Sequence, residues 1–145
     1  MVYFQWDETY SVGVDSIDNQ HKKLVGMIAS LQRAFVAGRH EAEMGNVLRA
    51  LVDYTRYHFS EEEALMKRIG FEELARHMEL HHQLVEQIVD ILKQLRAGKP
   101  YNAPDLIEFL KHWLIDHIMA EDKKVAVVYQ NQLKRAMSPV SDPAR

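Results

Sequence analysis

The sequence predicts an all-α protein: an antiparallel up-down-up-down four-helix bundle preceded by an N-terminal arm. Apolar residues recur every three or four positions along most of the chain, which is the period of amphipathic helices. Glycine and proline break this pattern at Ala37-Gly38, Gly70 and the stretch 97–100. Helices of roughly 20 to 28 residues joined by such short connections pack as antiparallel neighbours.

Each predicted helix has one core-facing stripe, a row of residues along the side that meets the other helices. The fourth helix begins near Asn102-Ala103-Pro104-Asp105, where a capping residue precedes an early proline and an acid. The apolar stripe residues, helix by helix, are Ile17, Leu24, Ile28, Leu31 and Phe35; Met44, Leu48, Leu51, Leu65 and Ile69; Leu74, Leu84, Ile88, Ile91 and Leu95; and Leu106, Leu110 and Trp113.

These boundaries divide the chain into an arm at 1–16, a bundle at 17–135 and a loose tail at 136–145. Aromatic and apolar residues of the arm, including Phe4, Trp6 and Tyr10, indicate that the arm packs across the bundle. The tail, SPVSDPAR, offers little to pack.

Composition excludes several kinds of function. The chain has 145 residues, a net charge of −3 and no cysteine, so disulfides, thiolate metal sites and iron–sulfur clusters are ruled out. The charge does not favour nucleic-acid binding, and no apolar run predicts membrane insertion. The N-terminus does not resemble a secretory signal, so we expect a cytoplasmic protein.

Polar residues interrupt every core-facing stripe in register with the leucines. An HxxxH pair on one helix is more often an ordinary surface or core feature than a metal site. Here, however, groups from all four helices fall at the same end of the bundle, and burying them without partners would cost several kcal/mol. The sequence therefore predicts a buried metal site. Its candidate ligands are His21, His58, Glu62, His77, His81 and His117.

The other histidines do not share these stripes. His82 lies about 100° around the helix from its neighbour His81, and His112 lies about 140° from His117. His40 falls in the first predicted loop. Glu61 and Glu63 are interpreted as a solvated face, with Glu63 able to pair with a lysine one turn later.

The motifs resemble those of the hemerythrin family. The chain contains a lone histidine in IDNQHKKL, then HxxxE in HFSEE, HxxxH in HMELH and HxxxxD in HIMAED. The last motif adds Asp122, five residues after His117. Because Glu121 would face the site better on an ideal helix, the resemblance implies a locally widened turn.

The resemblance implies two non-haem iron ions joined by an oxo or hydroxo bridge, with O2 as the ligand. His77, His81 and His117 would bind one iron, His21 and His58 the other, and Glu62 and Asp122 would bridge both. Eleven bonds result, about one fewer than two six-coordinate ions need, which leaves one open position. An apolar pocket around that position would consist of Leu24, Phe59, Trp113 and Leu114.

We therefore expect reversible oxygen binding, for transport, storage or delivery, rather than catalysis. Ferritin-like di-iron enzymes use more carboxylates and two Glu-x-x-His motifs, which this chain lacks. The alternatives are a di-iron oxidase or peroxidase, a sensor of oxygen, redox state or nitric oxide acting through a partner, and a metal-storing bundle. Dioxygen is the expected partner, an oxygen-consuming enzyme is a candidate partner protein, and we expect a monomer.

Overall fold

The computed structural model describes residues 3–38 and 40–137, without the side chains of residues 40–42. It confirms an all-helical fold, and the described residues form no strand. Helix α1 spans Asp15–Val36, α2 His40–Ile69, α3 Leu74–Arg96 and α4 Ala103–His117. A π-helical turn, Ile118–Asp122, joins α4 directly to α5, Lys123–Ala136, so this last stretch acts as one long fourth helix.

The helix boundaries follow local chemistry. The Asn102 side chain accepts a hydrogen bond from the backbone N–H of Asp105 at 3.0 Å, which caps α4 as expected. Gly70 has φ of +65°, a left-handed conformation that glycine adopts easily, and the chain turns there from α2 into α3. This tight turn keeps the C-terminal part of α2 and the N-terminal part of α3 at the same end of the bundle.

Two boundaries differ from the sequence prediction. Helix α1 begins at Asp15 rather than Ile17, and acids at Asp15 and Asp18 favour this helix N-terminus electrostatically. The backbone of His40 is the first residue of α2 rather than part of a loop, while its side chain is outside the described residues. Most of the predicted tail, 138–145, also lies outside them.

The core runs the length of the bundle. Leucines and isoleucines of the predicted stripes are almost completely buried, among them Leu24, Ile28, Leu48, Ile88 and Leu110. Helix α1 packs on both α2 and α4, and α2 packs on α3. No helix in the described part of the chain is both long and apolar enough to span a membrane.

The N-terminal arm is bonded to the bundle at several points. The Asp18 carboxylate accepts hydrogen bonds from the Ser11 hydroxyl at 2.5 Å and the Val12 backbone N–H at 2.8 Å. Lys123 donates to the Ser11 carbonyl at 2.8 Å, directly after the π-helical turn. The arm therefore ties the first turn of α1 to the start of α5.

Candidate metal centre

The structure brings all seven predicted ligands into one buried cluster at one end of the bundle. None of the seven side chains is more than slightly exposed. Glu62 of α2 lies at the centre, between two groups of histidines. One group consists of His77, His81 and His117, together with Asp122; the other consists of His21 and His58.

Each carboxylate directs one oxygen toward each group of histidines. Glu62 Oε1 lies 3.3 Å from His77 Nε2 and 3.2 Å from His81 Nε2, whereas Glu62 Oε2 lies 2.9 Å from His58 Nε2.

Asp122 divides its oxygens in the same way. Its Oδ1 is 3.1 Å from Nε2 of both His77 and His117, and its Oδ2 is 3.3 Å from His21 Nε2. This is the arrangement that two bridging carboxylates need in order to reach two separate ions.

The spacing of these atoms fits metal coordination. Two donors that are each about 2.1 Å from one octahedral ion lie about 3.0 Å apart. The nitrogen–oxygen distances of 2.9–3.4 Å fall near this value. Imidazole nitrogens and carboxylate oxygens also suit first-row transition metals.

Two hydrogen bonds fix which imidazole nitrogens are available. Gln20 Oε1 lies 2.7 Å from His58 Nδ1, and Glu63 Oε2 lies 2.8 Å from His81 Nδ1. Because these oxygens can only accept, both Nδ1 atoms carry a proton, and each Nε2 is directed toward Glu62. In a neutral imidazole that is protonated at Nδ1, the Nε2 lone pair repels a facing carboxylate oxygen unless a cation lies between them.

These two supporting residues were not predicted from the sequence. The interpretation of Glu63 as part of a solvated face was wrong, because its side chain crosses to α3 and is only 20% exposed. Gln20 was missed because it is simply the residue before His21 and belongs to no spaced motif. Predicting either contact requires knowing how one helix is rotated relative to its neighbour, and the periodicity of a single helix does not give this.

Many buried polar atoms of the cluster have no hydrogen-bond partner, although burying such atoms unpaired is costly. Metal ions would be the partner that every one of the Nε2 and carboxylate atoms shares, so the residues fit a metal pair. The unpaired atoms are both nitrogens of His21, Nε2 of His58, His81 and His117, both oxygens of Glu62 and Oδ2 of Asp122.

The close packing of histidines and carboxylates in the cluster shifts their pKa values. Burial alone would lower the pKa of His21, but the carboxylates of Asp122 and Glu62 raise this pKa to about 9. His77 shows the same balance, with a pKa raised to about 9. Burial would raise the pKa of Glu62, yet His58 and His21 hold it well below its usual value, and histidines likewise lower the pKa of Asp122. Both acids are therefore carboxylates at neutral pH.

The widened turn expected at Asp122 is present. The π-helical turn from Ile118 to Asp122 inserts an extra residue after His117, which swings Asp122 into the core. Glu121 points outward instead and accepts two hydrogen bonds from the Arg76 guanidinium, at 2.8 and 2.9 Å.

The four predicted pocket residues are buried, with exposed fractions of 0–7%. The ring of Phe59 stacks on His81 with centroids 3.7 Å apart. Trp113 donates its indole N–H to the Leu84 carbonyl at 3.1 Å. The predicted bystanders His82 and His112 are exposed, and neither belongs to the cluster.

Comparisons with known proteins agree with this site. The model of the hemerythrin HHE cation binding domain matches residues 12–128. A bacteriohemerythrin from Stenotrophomonas maltophilia is 30% identical, over 92% of this chain and 84% of that protein. One from Pseudomonas aeruginosa is 33% identical, over 84% and 78% of the two chains.

A solved structure of wild-type hemerythrin superposes with a TM-score of 0.78 and 31% identity, over 86% of this chain and 95% of that one. The family match covers all seven clustered residues, and the structural match covers most of both chains. The chain therefore belongs to the hemerythrin family.

Proposed function

We propose that the protein binds dioxygen reversibly at a non-haem di-iron centre held by the seven clustered side chains. The observation that carries this proposal is the unequal division of the ligands. Three imidazoles face one side of the two carboxylates, and only two face the other. With two shared carboxylates and one bridging oxygen, the first ion would be six-coordinate and the second five-coordinate.

The iron pair, when bound, would supply two electrons and one open position for a small ligand. The protein's part is to keep that position on the side of His21 and His58. Gln20 holds the His58 ring by its Nδ1–H, so His58 Nε2 stays directed at the site. The two-histidine side thus keeps its geometry without a third protein ligand.

The apolar neighbours would keep water and anions away from the open position. Leu24 follows His21 by one helical turn, and Trp113 precedes His117 by one turn, so both lie on the interior side of the cluster. The Trp113 N–H is already bonded to the Leu84 carbonyl, which leaves its apolar ring surface for the pocket. Exclusion of water slows irreversible oxidation of a ferrous site.

The donor set also favours binding over oxidation chemistry. Five neutral imidazoles and two carboxylates carry less negative charge than a carboxylate-rich site, and this stabilises the ferrous state. We therefore propose a binding protein rather than an enzyme.

An optical spectrum of the fully reduced, iron-loaded chain tests the proposal. We expect two irons per chain, a new absorption band on adding oxygen, and its disappearance when oxygen is removed under argon. The cycle should repeat. The exposed variant His112→Gln serves as a matched control and should behave as wild type. Irreversible oxidation in one step, or continuous consumption of reductant and oxygen, would refute reversible binding.

A further inference from the structure

We propose that the Arg76–Glu121 ion pair, outside the metal cluster, determines which of two adjacent acids enters the cluster. The chain presents Glu121 and Asp122 side by side at the end of the fourth helix. Only Asp122 faces the core, where it is 3% exposed. Glu121 is turned outward and held there by Arg76 of α3.

The competition between these acids follows from helix geometry. On a regular α-helix, the residue four positions after His117 lies on the same face as His117, and that residue is Glu121. Asp122, at five positions, would point about 140° away. The π-helical turn reverses this order, but an inserted residue is rarely stable without a local reason.

The ion pair provides that reason. Arg76 donates from both terminal nitrogens to both oxygens of Glu121, at 2.9 and 2.8 Å, which is the two-point geometry that fixes orientation as well as distance. Lys124 adds a weaker contact to Glu121 at 3.5 Å.

The position of the pair in the sequence couples it to two ligands. Arg76 directly precedes His77, and Glu121 directly precedes Asp122, whose Oδ1 lies 3.1 Å from His77 Nε2. The pair therefore links α3 to the π-helical turn on the outside, just where His77 and Asp122 meet on the inside. Arg76 and Glu121 are positioning residues, because neither touches the metal site itself.

The test uses Arg76→Gln in two backgrounds, the wild-type chain and the variant Asp122→Ala, and measures iron release from the loaded protein to an excess of chelator. In the wild-type background, losing the pair frees the turn to relax, and iron release should be about 10-fold faster, in the range of changes to residues that orient metal ligands. Hydrogen exchange of the backbone amides of 118–122 should rise in the same variant.

In the Asp122→Ala background the sign should reverse. With Asp122 removed and Arg76 no longer holding Glu121, the segment can return to a regular helix and bring Glu121 to the His117 face. The double variant should then release iron more slowly than Asp122→Ala alone. A merely structural role for the pair would predict faster release in both backgrounds.

Two further variants complete the test. Lys111→Gln removes the exposed Lys111–Glu108 pair and should match wild type in both measurements. The reversed pair, Arg76→Glu with Glu121→Arg, should recover most of the wild-type retention. Equal release from Arg76→Gln and wild type, no recovery by the reversed pair, or faster release in both backgrounds would each overturn the proposal. None of these readouts requires oxygen binding, so a failure here is distinct from a failure of the proposed function.

Discussion

Glu63 should set the metal affinity of the three-histidine side although it binds no metal. Its carboxylate accepts the Nδ1–H of His81 at 2.8 Å, and Nε2 of the same ring faces Glu62 Oε1 at 3.2 Å. A carboxylate behind an imidazole fixes the ring orientation and makes its other nitrogen a stronger donor. The substitution Glu63→Gln keeps the shape and a hydrogen-bond acceptor but removes the negative charge.

The size of the effect follows from the exposure of this contact. Changes to residues that orient metal ligands cost about 10–100-fold in affinity. Glu63 is 20% exposed, so solvent partly screens its charge and places the expected loss near the lower limit. We expect about 10-fold weaker retention, equivalent to about 1.4 kcal/mol. Glu63→Ala, which also frees the His81 ring, should cost more.

The assay is competition between the loaded protein and a chelator of known affinity. Glu61→Gln is a matched control, since Glu61 lies two residues away on the same helix and its carboxylate accepts a hydrogen bond from the exposed Tyr57 hydroxyl at 3.4 Å. This control should retain iron like wild type. If Glu63→Gln and Glu61→Gln release iron equally, charge behind His81 does not contribute to affinity and the reasoning is wrong.

The remaining predictions concern bystanders, the pocket and pH. Changing a histidine that is not among the seven predicted ligands to Gln should leave iron content unchanged by metal analysis, and loss of iron would show that its assignment is wrong; these residues are His40, His82 and His112. Trp113→Ala or Leu24→Ala should lower the free energy of unfolding by about 3 kcal/mol and leave iron bound. Either variant should also speed oxidation of the oxygenated protein, measured optically; an unchanged oxidation rate would show that neither residue shields the open position. Metal-free protein should melt below iron-loaded protein, and equal melting temperatures would contradict a stabilising metal site. The pKa values of His21 and His77 are raised to about 9. Protonation of these two histidines therefore stabilises the metal-free fold fully below about pH 6.5, and this contribution is lost as the pH rises through 9. The melting temperature of the metal-free chain should therefore fall as the pH rises from 6.5 to 9.5. A melting temperature that does not change with pH would refute this prediction.

The fold could be predicted because its signals are local. The core-facing stripes give each helix and its buried side, and Gly70 marks the turn that keeps α2 and α3 in register. The same periodicity identifies six residues of the cluster, since each occupies a stripe position. It fails at Asp122, because a π-helical turn changes the period itself, and there only the resemblance to a known family indicated the residue that joins the cluster.

The supporting contacts were harder to predict because they depend on two helices at once. Glu63 lies off the α2 stripe by one residue, and its side chain is long enough to reach His81 across the α2–α3 boundary. Gln20 reaches His58 in the same way from α1. The rotation and separation of neighbouring helices decide such contacts, and no single helix encodes them.

Core packing alone does not explain why these polar side chains are buried together, as the charge balance of the cluster shows. At neutral pH the two carboxylates, Glu62 and Asp122, are matched by two protonated histidines, His21 and His77, so the metal-free core can be neutral overall. Four buried Nε2 atoms nevertheless have no hydrogen-bond partner among the described residues, those of His21, His58, His81 and His117. Two metal ions shared by the carboxylates would give each of these inward nitrogens a partner, and the carboxylates would offset part of the metal charge, which apolar packing cannot do.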